Sequence, residues 1–101
     1  MPSTVLIKEI PITSANVNTP QEERFGSNIE WAIVQNDCPF AVNILGHDNQ
    51  RILHIPANDL LPLLMGSREF NSLRIYGEAV SAAGDILVGN VLYIHWSPKR
   101  R

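Results

Sequence analysis

A chain of 101 residues has room for one domain, and its 45% apolar content is enough to fold without a covalent staple. The formal net charge of −2 excludes a global field that would gather nucleic acid or an acidic membrane surface. With Cys38 as the single cysteine, intrachain disulfides and cysteine-built zinc sites are excluded, and a reducing compartment is expected.

Charged residues make up only 18% of the chain, a low share, expected where part of a surface meets other subunits. Met1-Pro2-Ser3-Thr4 has no positive n-region, and Val5-Leu6-Ile7 is cut short by Lys8 and Glu9, so no signal peptide is predicted. No apolar run approaches the ~20 residues that span a bilayer as a helix.

Thr4–Ile12 alternates loosely and predicts a first strand, with Pro11 barring it from a central place near its end. Ser14 to Ser27 is polar, its only large apolar groups being Val17 and Phe25, and predicts a long connection or extended arm. Within it Thr19 as N-cap and Pro20 at the first helical position would suit a short helical turn. Residues 1–27 are thus a first strand plus arm, 28–97 a β core and 98–101 a tail.

From Ile29 to Gln35 one face carries Ile29, Trp31 and Ile33 and the other Glu30, Ala32 and Val34, a strand pattern that puts Trp31 on the apolar side. Asn36-Asp37-Cys38-Pro39 reads as a turn. Phe40–Leu45 and Arg51–Ile55, separated by Gly46–Gln50, predict a hairpin with Phe40, Val42 and Ile44 inward.

Ala57–Gly66 breaks the alternation. Leu60, Leu61, Leu63, Leu64 and Met65 crowd together around Pro62, with Asn58 or Asp59 as a possible N-cap and Gly66 as a stop. One short helical turn closing an end of the core is expected, an exposed patch being the other reading. Ser72–Tyr76 predicts a strand and Ser81–Asp85 a turn. Ile86–Trp96 predicts the longest strand, with Gly89 marking a bulge. Six or seven such strands define an all-β class: a small antiparallel β-sandwich or jelly-roll-like barrel.

No constellation in this pattern carries chemistry. His47 beside Asp48 lacks a further placed ligand, and His54 and His95 sit singly in strands, so no metal is predicted. Cys38 has no supporting signature for a nucleophile and suits a small buried apolar group. There is no Gly-x-Ser-x-Gly elbow, phosphate loop or calcium loop, so neither catalytic residues nor a cofactor are predicted. The basic end, Lys99-Arg100-Arg101, reads as a solvated tail.

Recognition is the remaining possibility. Tyr76, Tyr93 and Trp96 are candidate stacking residues, Trp96 being expected partly exposed near its strand end. Basic residues do not interleave with them, which favours a sugar over nucleic acid. Val5, Ile7, Val17, Phe25, Leu60, Leu61, Leu64 and Met65 are the candidate partner interface.

The order Trp31–Asn36, Phe40–Ile44, Ile55–Asn58, Phe70–Ile75, Ala82–Val88 resembles small β-sandwich virion proteins of bacteriophages and other viruses, the decoration and minor capsid type. That resemblance implies a non-enzymatic structural subunit in the virion, assembled in the host cytoplasm. Its partners would be further copies of itself and a major capsid or other virion protein, with an arm that docks on a neighbour. A carbohydrate-binding sandwich is the alternative, and an enzyme, which would need a pocket gathering distant His, Asp or Cys residues, ranks last.

Overall fold

The computed structural model describes residues 5–13, 15–65, 68–78 and 90–99. Eight strands are present among them: β1 Leu6–Pro11, β2 Gln21–Arg24, β3 Ile29–Asn36, β4 Val42–Leu45, β5 Arg51–Ile55, β6 Leu60–Leu63, β7 Ser72–Gly77 and β8 Val91–Pro98. They form two four-stranded antiparallel sheets, ordered β1–β8–β3–β6 and β2–β7–β4–β5. The expected turn at Ser81–Asp85, residues 86–89 of the long strand with the Gly89 bulge, the Gly66 stop and the end of the basic tail lie outside the described residues.

The pairing is nested. β4 pairs with β5, β3 with β6, β2 with β7 and β1 with β8, so the chain is one long hairpin rolled into two layers. Contacts of β8 with β3 and of β7 with β4 then close each sheet. This order is that of an eight-stranded jelly roll. Hydrophobic burial between the layers holds it together. Ile10, Val34, Leu92 and Ile94 from one sheet meet Val42, Ile44, Ile55, Leu73 and Ile75 from the other, all essentially inaccessible to water.

Several expectations are corrected. No helix occurs among the described residues: Leu60–Leu63 is strand β6, and Thr19-Pro20 leads directly into strand β2. Pro62 is accommodated because β6 is an edge strand, paired only with β3, so a missing N–H costs no ladder bond on its open side. The segment read as an arm is tied into the domain. Gly77 N–H donates to Asn16 O at 2.9 Å, Asn18 N–H donates to Gly77 O at 2.8 Å, and Val17 bridges Gly77 in parallel. β2 then pairs with β7, and Phe25 drops into the core edge-on to Trp96, ring centroids 5.0 Å apart.

The face assignment of β3 is also reversed beyond its first residue. The register shifts between Ile29 and Trp31, a bulge that sends Ile29 inward and then Ala32, Val34 and Asn36. Trp31 and Ile33 therefore point away from the core. Phe40 is only partly buried, whereas Val42 and Ile44 are inward as expected.

Candidate functional site: the outer face of the β1–β8–β3–β6 sheet

Strand alternation gives each sheet an inner and an outer face. On the outer face of the β1–β8–β3–β6 sheet, the register aligns Ile7, His95, Ile33 and Pro62 in one row across four strands. The neighbouring row is Glu9, Tyr93, Gln35 and Leu60, and the row on the other side includes Ser97 and Trp31. One step beyond the paired residues, Val5 continues β1 beside Ser97 and Leu64 continues β6 beside Trp31.

This face is apolar and open. Among the described residues the strongly exposed large apolar side chains are Val5, Leu6, Ile7, Ile33, Leu60 and Leu64; all but Leu6, which is in the row of the inward Trp96, lie on this face or at its immediate ends. Ile7 is 60% exposed, Leu60 56% and Leu64 76%. Within the rows the single formal charge is Glu9, on the edge strand; Glu30 and Asp37 stand at the two ends of β3. The polar exception is a seam in which His95 Nε2 lies 3.2 Å from Gln35 Oε1, while Gln35 Nε2 donates to Asp37 Oδ1 at 3.2 Å. Scattered exposed apolar groups are ordinary, but a set gathered on one sheet face marks an interaction surface.

The opposite outer face has a different chemistry. Its rows are Glu22, Arg74, Leu45, Arg51 and Tyr76, Asn43, His54. Arg74 Nη1 donates to Asn49 Oδ1 at 2.8 Å, and His54 Nδ1 lies 2.9 Å from Asn43 Oδ1 and 3.7 Å from Glu78 Oε2. Asn43 is fully buried beneath this row, and its Nδ2 has no partner.

The candidate interface residues thus divide. Val5, Ile7, Leu60 and Leu64 lie on or beside the apolar face. Phe25 and Met65 are core residues, and Val17 and Leu61 pack against the core. Trp31, Ile33 and Pro62 were missed; the bulge that turns Trp31 and Ile33 outward has no mark in the sequence.

The stacking candidates do not converge. Tyr76 and Tyr93 are half-buried on outer faces of different sheets, on opposite sides of the molecule. Trp96 is only 5% exposed, because β8 runs on to Pro98 and places it mid-strand on the inner face.

Reactive groups are also dispersed. Cys38 is buried, and desolvation, then the charge of Asp37, pushes its thiol up to about 11 from the ordinary 9.0. His47 lies in a turn against the Phe70 ring, centroids 5.6 Å apart. Among the described residues no three of His, Cys, Asp and Glu converge to hold a metal ion. Two open depressions lie on the polar side, one lined by Glu22, Arg24, Gly26, Asn71 and Ser72 and another by Glu22, His47 and Arg74.

Compared with protein-family models, curated proteins and solved structures, the chain gives no significant match.

Proposed function

We propose that this chain is a non-enzymatic structural subunit of a virion, a capsid decoration or accessory protein that works by self-association and by docking on a shell. The observation that carries this reading is the flat apolar face formed by Ile7, Ile33, Pro62, Leu60, Trp31 and Leu64. A surface of that kind gains free energy by being covered, at about 25 cal/mol per Å² of apolar area removed from water. The jelly roll is compatible, since capsid domains use it, but so do lectins and cupins, and a fold by itself assigns no function. The weight therefore rests on the face.

Quantitative mass spectrometry of gradient-purified particles from the producing host tests the proposal. Recovery of the chain in fixed proportion to the major shell protein is expected. Its absence from particles, with abundant free protein in the same lysate, would overturn it.

One observation favours a second reading, carbohydrate binding at Tyr76. This ring stands on the polar face beside the accessible His54 and close to Glu78, the mixture of aromatic surface and hydrogen-bonding groups that sugars require. Both tryptophans lie in the other sheet, so their fluorescence is blind to this site. Binding to a glycan array that is lost in Tyr76→Ala is the expected result; an array without signal removes the reading.

A further inference from the structure

We propose that a second copy of this chain covers the outer face of the β1–β8–β3–β6 sheet, the two copies being related by a twofold axis. The inference rests on the docking reading above and names the occupant.

An isologous contact needs a surface complementary to itself. A flat apolar face meets that condition without any matched pattern, provided no charges are forced together. Within the rows of this face Glu9 is the single formal charge, and it sits on the outermost strand, where it stays at the rim. The more charged outer face is the other one, with Glu22, Arg74 and Arg51 in a single row, and a different partner selected by charge complementarity would more naturally dock there. A twofold pair leaves that charged face of each copy in water.

The footprint sets the class of contact to expect. Four strands about 4.8 Å apart and seven residues at about 3.4 Å give a footprint of roughly 19 by 24 Å. That is near half of the roughly 800 Å² each partner contributes to a standard stable interface. A footprint of that size belongs to the class of small, transient contacts, so the pair is expected to be reversible.

Sedimentation equilibrium of the full chain, from about 10 µM to 1 mM, reads the result, with the dye bis-ANS as a separate probe of the uncovered face. For the 11.3 kDa chain the expected outcome is a mass rising toward twice that value. Leu64→Glu should weaken the pair at least tenfold, and Ile33→Glu should do the same. Leu64 is three-quarters exposed, so its substitution spares the core. Arg74→Glu, on the other face, should leave the mass unchanged.

A wild-type chain that stays monomeric throughout overturns the second copy. If that monomer binds bis-ANS and Leu64→Glu does not, the face still docks something else and the functional reading survives. If neither binds, both fall. A dimer that ignores Leu64→Glu and Ile33→Glu but is broken by Arg74→Glu also overturns the proposal.

Discussion

Asn36 shows how much one polar side chain can hold in a small jelly roll. It is fully buried at the end of β3, where its Oδ1 accepts the Cys38 N–H at 2.9 Å. Its Nδ2 lies within bonding distance of the carbonyls of Phe40, Pro56 and Ile55, at 2.9, 3.0 and 3.3 Å. One amide thus ties β3 to the loop before β4 and to the end of β5. Asn36→Leu keeps the branched shape but leaves these backbone groups unpaired, each at a cost of roughly 1–3 kcal/mol. A loss of about 3 kcal/mol is expected in urea unfolding; a change below about 0.5 kcal/mol, within the range of an ordinary surface substitution, would show that water replaces the amide. Cys38 next to it gives a pH prediction. A thiol whose folded value is raised favours the protonated native state, so stability is intact below pH 9 and falls as the pH rises toward about 11. Cys38→Ser should flatten that alkaline limb. Thiol reagents at pH 8 should label Cys38 only after unfolding.

At the scale of elements, β3 is decided by its bulge. Val34 is inaccessible while Ile33 beside it is 38% exposed, so truncations of the two should differ sharply. Val34→Ala is expected to cost about 2 kcal/mol and Ile33→Ala less than about 1 in denaturant unfolding. The opposite ranking would mean that Trp31 and Ile33 face the core after all. Gly77, at the end of β7, is the second joint. A Cβ there would stand 2.7 Å from Phe40 Cε1 and 2.8 Å from Ile12 Cγ2, while its N–H and carbonyl are both engaged by the 16–18 segment. Gly77→Ala should destabilise by about 1–3 kcal/mol through overpacking. The edges are handled differently from one another. β2 is short and charged, β6 contains Pro62 and β5 carries a register shift against β4, all of which discourage strand addition. β1 has Leu6 and Ile7 exposed on an open edge, continuous with the apolar face.

For the molecule as a whole, nesting makes the pairing of β1 with β8 the one that closes the longest loop. Such pairings close long loops before they gain contacts, so refolding is expected on the millisecond-to-second scale. Stopped-flow fluorescence of a Trp31→Phe variant, whose remaining Trp96 reaches its buried place against Phe25 only when both sheets meet, measures this. A microsecond phase carrying the full amplitude would contradict it. The two outer faces divide the molecule's surface into one that gains by contact and one that gains by hydration, and that asymmetry is the physical basis of the assembly reading.

The hairpin of β4 and β5 was legible in the chain because alternation and turn chemistry act within a dozen residues: Val42 and Ile44 face in, and Asn49 takes the positive φ of 64° in the turn. The β class and the strand at Ser72–Tyr76 were legible for the same reason. β2 was not, since Gln21–Arg24 has no strand signature and becomes one by pairing with β7. β6 was not, since a leucine cluster around Pro62 reads equally as a helical turn. Of the candidate surface, Val5, Ile7, Leu60 and Leu64 were found from composition, while Trp31 and Ile33 were hidden by a one-residue bulge that flips every later side chain. The sequence by itself therefore determined that this chain alternates into strands around an apolar core. Only the tertiary structure decided which apolar residues are left outside that core, because exposure depends on register between segments far apart in the chain, which no local pattern encodes.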